Sequence, residues 1–446
     1  MIPRRRKICI RICFALFFIF LALFLAVSKL ESLKYFLTLD TRIASVAAYF
    51  YFPELIKFFI AVTSLGDWQF VFPFAILITL IFLKLKRYYY IETLVFTIGG
   101  AQISDTLLKI IFQKPRPDLA LIFLNSYSFP SGHTVLSIAF YGFFIYLAFV
   151  NFKSKFLKLF ILIFGAILVT LIGYSRIYLN VHFYSDVVAG YFLGWIWLSL
   201  GVLWLNYLEL GTKNKIIAPL LGVGTIALCS LFFLSLPTPK IAGPTNIIIT
   251  NNILYAFNKK EGLPKFTEKL DGSNQHPLSF LIVAKNDSDL IQKFKASGWL
   301  LADRFNFKTI EKLYETGRDN KPYPTGPVTP SFWSDKTQDF SFEKPTVQNT
   351  IRVRHHCRFW ETNIRTEDGS TLYIGYANFD EGTKWLITHK VAPDMDKERE
   401  SLFADLLKTR SIKDYQKIQF NPPTKGYSYS GDFFYTDGEA YVIYFR

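Results

Sequence analysis

Over its first 240 residues the chain alternates long apolar segments with short basic ones. The uncharged runs are 12–28, 68–83, 134–152, 159–175, 187–208 and 216–239. A further apolar stretch, 88–108, is interrupted only by Glu92 and Asp105. A membrane-spanning helix needs roughly 17–25 apolar residues. The pattern therefore predicts seven spans, and it favours an amphipathic interfacial helix, or a re-entrant one, over 41–62.

Basic residues between these spans set the predicted orientation. They precede span 1 and separate spans 2 and 3, 4 and 5, and 6 and 7: Arg4, Arg5, Arg6, Lys7, Arg11, Lys84, Lys86, Arg87, Lys153, Lys155, Lys158, Lys213 and Lys215. Since basic loops stay in the cytoplasm, the N-terminus is predicted to be cytoplasmic and the C-terminal half to lie across the membrane. Span 1 also has features of a cleaved signal peptide, but its length favours a retained anchor.

The composition supports a membrane protein and excludes several other classes of protein. Of 446 residues, 18% are aromatic and only 19% are charged, which excludes a disordered or collagen-like chain. Residues 1–237 hold 21 Lys and Arg against nine Asp and Glu. Because this excess flanks membrane spans, we infer no nucleic-acid binding from it. The four cysteines form neither a disulfide framework nor a zinc motif.

Three polar motifs fall at the predicted outer ends of the spans. They are Lys109-x6-Arg116-Pro117 after span 3, Pro130-Ser131-Gly132-His133 before span 4, and Ser175-Arg176-x5-His182-x3-Asp186 between spans 5 and 6. The orientation was derived from the other loops, yet it places all three motifs on the same, non-cytoplasmic side. The sequence therefore predicts one shared site.

These residue types suit phosphate chemistry. The N–H groups of an arginine guanidinium form a fork that matches two phosphate oxygens. A helix that begins at Pro-Ser-Gly presents free backbone N–H groups, which favour a bound anion. Asp186 lies four residues after His182, so it can fix that ring and leave the other nitrogen free as a nucleophile, while His133 protonates the leaving oxygen. No cluster of carboxylates requires a metal. Taken alone, each motif has an ordinary structural explanation. The first could be basic residues that reach from the end of a span to the membrane surface, the second a turn before a helix, and the third a structural pair. The occurrence of all three motifs together favours a functional site.

Together the motifs resemble the type 2 phosphatidic acid phosphatase (PAP2) superfamily, with its patterns KxxxxxxRP, PSGH and SRxxxxxHxxxD, over residues 55–210. The resemblance implies a six-helix membrane core, to which this chain adds one helix, and metal-independent removal of phosphate from lipids without a cofactor. It implies that His182 becomes phosphohistidine, that Asp186 orients it and that His133 is the general acid. The implied phosphate-binding residues are Lys109, Arg116, Arg176, Ser131 and Gly132.

Two further residues near the first motif need an assignment. Lys114 is an alternative phosphate ligand to Lys109, but the family spacing favours Lys109. Asp105, one turn before Lys109 and inside a span, is expected to pair with Lys109 or Arg116. A structural contact between Asp105 and another helix is the alternative.

The C-terminal half has the composition of a soluble α+β domain. Strands are predicted at 276–284, 351–360, 371–379 and 384–390, helices at 287–298, 306–317 and 394–409, a loop over 320–350, and a hairpin around Asp437-Gly438. The stretches Arg-His-His-x-Arg-Phe-Trp (354–360), Thr388-His389 and 393–399 resemble the LssY-like C-terminal domain. This resemblance implies a bacterial source and no particular reaction.

Strand 351–360 carries a basic row on one face, because side chains alternate along a strand. The row consists of Arg352, Arg354, His356 and Arg358. It is predicted either to contact an anionic headgroup or acidic partner, or to be a solvated face with salt bridges. His355, on the apolar face, is expected to be a core histidine. A zinc site from His355, His356 and His389 is disfavoured because adjacent strand residues diverge.

The sequence thus predicts an all-α polytopic membrane bundle followed by a soluble α+β domain. The predicted parts are an anchor and interfacial segment (1–54), a catalytic core (55–210), a last span and linker (211–244) and a periplasmic domain (245–446). The predicted protein is a bacterial inner-membrane lipid phosphatase with a periplasmic site. Candidate substrates are undecaprenyl diphosphate, which leads, phosphatidic acid, phosphatidylglycerol phosphate and lipid A phosphate. The alternatives are a lipid phosphotransferase whose acceptor binds the C-terminal domain, and a binding or assembly protein with a vestigial core.

Overall fold

The structure is a computed structural model. It describes residues 4–31, 34–211, 217–234, 247–258, 262–319, 321–384, 388–428 and 430–446. The chain divides into two compact units, Met1–Ile241 and Ala242–Arg446. We call them unit 1 and unit 2.

The described residues of unit 1 are helical apart from their connections. The helices are α1 (Arg4–Glu31), α2 (Lys34–Tyr49), α3 (Pro53–Ser64), α4 (Trp68–Lys84), α5 (Tyr88–Phe112), α6 (Gly132–Asn151), α7 (Lys155–Tyr178), α8 (Tyr184–Leu210) and α9 (Ile217–Leu234). Six described stretches are long and apolar enough to cross a membrane: Arg6–Leu30, Pro53–Lys84, Tyr88–Phe112, Gly132–Asn151, Lys155–Tyr178 and Tyr184–Leu210. Unit 1 is therefore a multi-span helical membrane bundle.

The structure leaves the predicted seventh span open and contradicts the predicted interfacial helix. Span 216–239 corresponds to α9, but residues 212–216 and 235–246 lie outside the described residues, so a full seventh crossing stays a prediction. The single helix over 41–62 is wrong. The chain breaks it between Tyr49 and Pro53, because proline fits the first turn of a helix and not its interior. The α3 helix instead belongs to the candidate span Pro53–Lys84.

Helix α8 lies at the centre of unit 1 and is buried along most of its length. It packs against α1, α5 and α6. At Gly190 a Cβ atom would lie 2.8 Å from the carbonyl oxygen of Ser131, so the glycine lets the start of α6 approach α8. At the other end, Arg6 of α1 pairs with Glu209 of α8 at 2.6 Å. These contacts set α6 and α8 side by side where the polar motifs lie.

Unit 2 is an α+β domain. Its described elements are β1 (Ile248–Ile249), α10 (Tyr255–Asn258), β2 (Phe266–Glu268), β3 (Asn274–Pro277), β4 (Phe280–Ala284), α11 (Asp287–Ala296), β5 (Leu300–Leu301), α12 (Phe307–Asp319), β6 (Phe332–Trp333), β7 (Lys336–Thr337), β8 (Phe340–Thr350), β9 (Val353–Arg365), β10 (Thr371–Lys384), β11 (Thr388–Val391), α13 (Met395–Lys408), β12 (Ile412–Gln419), β13 (Thr424–Tyr427), β14 (Phe433–Thr436) and β15 (Glu439–Phe445).

A mixed sheet with the order β12-β15-β4-β10-β9-β8-β5 forms the framework of unit 2. Helices α11 and α13 contribute Leu290 and Leu402 to a core that also contains Cys357 and Phe359 of β9. Trp360 of β9 belongs to a second core. The predicted alternation of side chains along this strand is confirmed.

Two expectations for unit 2 are wrong. The predicted loop 320–350 contains three strands, β6, β7 and the long β8, whose pairing with β9 becomes irregular after Pro345. The Asp437-Gly438 turn joins β14 to β15, but these strands do not form a hairpin. The β15 strand pairs with β12 and, in parallel, with β4, while β14 pairs with β13. The predicted strand 384–390 falls partly on residues 385–387, which lie outside the described residues.

Candidate active site

Helix ends bring the three motifs together. Lys109 lies in the last turn of α5, Ser131 caps the start of α6, and Arg176 lies in the last turn of α7. The backbone N–H of Ser131 donates to the carbonyl oxygen of Asp186 at 3.0 Å, and that of His182 donates to the carbonyl oxygen of Arg176 at 3.3 Å. Segments distant in sequence therefore share one end of the bundle.

His182 lies between α7 and α8 and is only 2% exposed. Its Nε2 atom lies 3.2 Å from Nη1 of Arg116, and its Nδ1 atom lies 3.5 Å from Oδ2 of Asp186. Burial, and then the charges of Arg116 and Arg176, lower the pKa of His182 well below its ordinary value. A neutral ring that accepts a hydrogen bond at Nε2 carries its proton on Nδ1, facing Asp186.

Arg116 is held beside His182 by neutral oxygen atoms. Its guanidinium donates to the carbonyl oxygens of Val181 (2.5 Å), Ser126 (2.8 Å) and Tyr127 (3.3 Å), and to the hydroxyl of Ser126 (2.9 Å). Burial lowers the pKa of Arg116. Among the described residues, no carboxylate forms an ion pair with this guanidinium, so its charge is not neutralised by direct contact.

Arg176 has a similar environment. It is 2% exposed, and its Nη1 donates to the hydroxyl of Thr63 in α3 at 2.8 Å. Its buried Nε has no hydrogen-bond partner in the described part of the chain. A buried donor without a partner is costly, and an anion bound beside it would remove that cost. Thr63 was not found from the sequence, because α3 lies outside the motifs.

Lys109 and Gly132 meet where α5 touches α6. Asp105, predicted to pair with Lys109 or Arg116, forms an ion pair with Lys109 at 2.6 Å. A Cβ atom on Gly132 would lie 2.8 Å from Oδ2 of Asp105 and 2.9 Å from Nζ of Lys109. A side chain at position 132 would therefore displace this pair, which explains the glycine at the start of α6.

His133 faces a carboxylate that the sequence analysis did not identify. Its Nε2 lies 3.6 Å from Oδ2 of Asp67, the N-cap residue of α4. Asp67 lies between two apolar helices, with no motif around it, so sequence spacing gave no signal. The pairing brings α4 to the site.

Two neighbouring polar residues have defined partners. The Ser131 backbone N–H is engaged by Asp186, and its hydroxyl oxygen accepts from the Thr134 hydroxyl at 3.0 Å. The Ser131 hydroxyl proton is therefore the donor that Ser131 can offer an anion. Lys114, considered as an alternative to Lys109, is 1% exposed and donates to Oδ1 of Asp186 at 2.9 Å.

Comparisons with known proteins match both units. The PAP2 superfamily profile matches residues 91–209, and the profile of the LssY C-terminus matches residues 260–440. Phosphatidylglycerophosphatase B of Bacillus subtilis (strain 168) is 31% identical over 187 residues, which cover 40% of this chain and 86% of that protein. The chain belongs to the PAP2 superfamily.

Two solved structures are also similar to this PAP2 chain. The first transmembrane PAP2-type phosphatidylglycerolphosphate phosphatase from Bacillus subtilis is 27% identical, with a TM-score of 0.38, and the match covers 45% of this chain and 95% of that one. LpxE of Aquifex aeolicus is 28% identical, with a TM-score of 0.28, covering 39% of this chain and 93% of that one. By family membership the protein is a phosphatase of the PAP2 lipid phosphatase family.

The basic row of unit 2 is not a solvated face. Arg354, His356 and Arg358 are 3%, 3% and 8% exposed. Arg354 forms ion pairs with Glu343 and Asp380, and Arg358 donates to Thr329 and Tyr376. The expected solvation of this face is therefore wrong, because Gly326 and Thr329 supply oxygen partners that cover the row, whereas the salt bridges of that interpretation are present. Contact with a headgroup or partner stays a prediction for this row.

The remaining unit 2 predictions concern histidines. His355 bonds through Nδ1 to Glu398 at 2.9 Å and packs near Trp299, but its side chain is 25% exposed, so it lies at the edge of the core. His356 instead lies 3.3 Å from Asp380. The side chain of His389 lies outside the described residues. Among the described residues no group of three His, Cys, Asp or Glu side chains is arranged to hold a metal ion. Arg352 donates to the carbonyl oxygen of Gly317.

Proposed function

We propose that the protein is a metal-independent lipid phosphate phosphatase that works through a phosphohistidine on His182. The observation that carries this proposal is the pair Arg116 and Arg176 near His182. Arg116 is partly buried and Arg176 is buried, and among the described residues their guanidinium groups bond only to neutral protein atoms. A phosphate dianion would neutralise both and supply acceptors for their N–H groups.

In the first step the lone pair of His182 Nε2 attacks phosphorus. The P–N bond forms while the bond from phosphorus to the lipid oxygen breaks, and protonated His133 gives its proton to that oxygen. Asp67 faces His133 and would stabilise its protonated form. Lys109, Arg116 and Arg176 would hold the phosphoryl oxygens, with donors from Ser131 and the first-turn N–H of Gly132.

In the second step water attacks the phosphorus of phosphohistidine. The new P–O bond replaces the P–N bond, and neutral His133 takes the proton of the water. Asp186 faces Nδ1–H of His182 and stabilises the positive charge that the ring carries while phosphorylated. The products are inorganic phosphate and the original enzyme, so neither step needs a metal or a redox partner.

The substrate we propose first is phosphatidylglycerol phosphate, because the relative that is 31% identical to this chain is named for acting on it. Phosphatidic acid, undecaprenyl diphosphate and lipid A phosphate remain in the comparison panel. This order differs from the sequence-based one, which placed undecaprenyl diphosphate first.

For sidedness we propose a cytoplasmic N-terminus and an active site at the periplasmic face of a bacterial inner membrane. The support is the basic loops: Lys84 ends α4 and Lys155 begins α7, which places them at the helix ends opposite the site. Labelling of an engineered cysteine at exposed Phe123 by an impermeant thiol reagent in intact cells checks this, and protection of that cysteine until lysis would reverse the assignment.

The decisive test is phosphate release by the purified full-length protein in detergent with EDTA. We expect release from at least one lipid of the panel, unchanged by EDTA, and a loss of about 10³-fold or more in His182→Ala with unchanged thermal unfolding. The control is Lys155→Met, an exposed substitution at the far end of the bundle.

Two outcomes contradict the proposal. A strict metal requirement removes the metal-independent mechanism, and full turnover by His182→Ala removes the nucleophile. Transfer of phosphate to a second lipid in place of release would favour the phosphotransferase.

A further inference from the structure

Behind the proposed nucleophile lies a buried ionic network that the family motifs do not include. Lys114 donates from Nζ to Oδ1 of Asp186 (2.9 Å), to the hydroxyl of Ser185 (2.9 Å) and to Oδ2 of Asp40 (3.2 Å). All four residues are at most 3% exposed. The three N–H donors of an ammonium group are thereby occupied, so Lys114 has none left for a phosphate.

Asp40 joins the network from α2, which lies outside the matched PAP2 region 91–209. Its Oδ1 accepts from the backbone N–H of Ser185 at 2.9 Å, and its other oxygen accepts from the Ser185 hydroxyl. Ser185 lies in the first turn of α8, where backbone N–H groups have no acceptor within the helix. Asp40 thus fixes the start of the helix that carries Asp186.

Asp186 is held at both oxygens. Its Oδ1 accepts from Lys114, and its Oδ2 accepts from the backbone N–H of Phe183 at 2.8 Å. The same Oδ2 faces Nδ1 of His182. The direction of the carboxylate is therefore set by Lys114 and the backbone, before any substrate binds.

We propose that Lys114 and Asp40 are positioning residues for the phosphohistidine step: Lys114 holds Asp186 toward His182, and Asp40 shares the charge of Lys114 so that Asp186 keeps its negative charge for the ring. The inference rests on the proposed function. The carboxylates of Asp40 and Asp186 share the ammonium of Lys114. Removing the ammonium therefore leaves two buried carboxylates together. Removing the Asp40 carboxylate leaves Asp186 as the carboxylate that pairs with Lys114.

The test compares Lys114→Met, Lys114→Arg, Asp40→Asn and the double variant Lys114→Met/Asp40→Asn, with Lys155→Met as control. The readouts are kcat and KM for phosphate release as functions of pH, each normalised to folded protein. For Lys114→Met we expect kcat to fall about 10- to 100-fold, the size typical of residues that orient metal-binding histidines and carboxylates, with KM within about twofold. Lys114→Arg should retain most of the activity.

The pH profile separates positioning from simple support of the fold. Charged or titratable groups face His182 from every adjoining element: Lys109, Arg116, His133, Arg176 and Asp186. Removing the cation of Lys114 raises the pKa of His182, so the acid limb of kcat/KM should move to higher pH in Lys114→Met. Asp40→Asn should move it to lower pH, and the double variant should recover part of the kcat lost by Lys114→Met.

Failure of the inference is distinguishable from failure of the proposed function. If the wild type releases phosphate and His182→Ala does not, but Lys114→Met keeps wild-type kcat or loses kcat with an unmoved acid limb, the positioning role is wrong. If the wild type releases no phosphate, the proposed function itself has failed. If the double variant folds but is no better than Lys114→Met, the charge-sharing role of Asp40 is wrong.

Discussion

Each unit buries arginine side chains, but their charges are neutralised in different ways. In unit 2, Arg354 lies between the carboxylates of Glu343 and Asp380. In unit 1, Arg116 and Arg176 bond to carbonyl and hydroxyl oxygens. A buried charge without a counter-ion is costly, so a bound anion would stabilise Arg176, whose side chain is buried. The comparison teaches that the partner of a buried arginine, more than its burial, shows whether its charge is already neutralised within the protein.

The largest expected effect is on activity in unit 1. Arg176→Met should lower kcat/KM for phosphate release about 10³-fold, because it removes a donor to the transferring phosphoryl group. Thermal unfolding should not shift downward, since the guanidinium loses only a neutral hydroxyl partner. Arg87→Met, an exposed substitution away from the site, is the control. If Arg176→Met keeps its activity, or if it unfolds, the proposed difference between this arginine and Arg354 of unit 2 is wrong.

The next effect is on the stability of unit 2. Arg354→Met removes the guanidinium that contacts the buried carboxylates of both Glu343 and Asp380, and it should destabilise the sheet by about 3–5 kcal/mol. Hydrogen exchange of the β8, β9 and β10 amides in the full-length protein measures this, while phosphate release should persist. Arg365→Met, which breaks the partly exposed Arg365–Glu361 pair, should cost less than about 1 kcal/mol. Equal exchange in the two variants would contradict the account.

The smallest effect is a pH dependence in unit 2. Burial lowers the pKa of His276 to about 3, and its ring packs against Tyr376 and Phe434. The unfolded chain binds a proton below pH 6.5 that the folded unit does not. Stability from this group is therefore present above pH 6.5 and is lost as pH falls, by about 1.4 kcal/mol per unit.

Replacing this histidine sharpens the test. His276→Phe should flatten the decline of unit 2 stability between pH 6.5 and 4, measured by hydrogen exchange in the full-length protein. Parallel wild-type and variant curves would show that His276 titrates as freely in the folded unit as in the unfolded chain.

The sequence predicted the motif residues of the site because helix ends bring their spacing together. Lys109 closes α5, Ser131 opens α6, and His182 and Asp186 lie on either side of the start of α8. Asp40, Thr63 and Asp67 were missed because they come from α2 to α4 and meet the motifs only in three dimensions. Asp40 and Ser185, for example, are 145 residues apart.

In unit 2 the local sequence pattern predicted the positions of strands and turns better than it predicted which strands pair with each other. Gly438 has a φ of 79°, so the Asp-Gly turn was correctly located. Its flanking strands nevertheless pair elsewhere, because β15 has long-range partners in β4 and β12. The basic row was correctly assigned to one face of β9, but its burial depends on a covering segment and on carboxylates from β8 and β10. Neither is visible from the alternation within a single strand.

The most direct test of the central claim is to trap the covalent intermediate. The full-length protein is mixed in EDTA with phosphatidylglycerol phosphate labelled at its terminal phosphate, quenched in alkali, where phosphohistidine survives, and digested for peptide mapping. We predict label on the peptide that contains His182, no label in His182→Ala, and retained label in Arg354→Met. Turnover by the wild type without label at His182, or equal label in His182→Ala, would contradict the account.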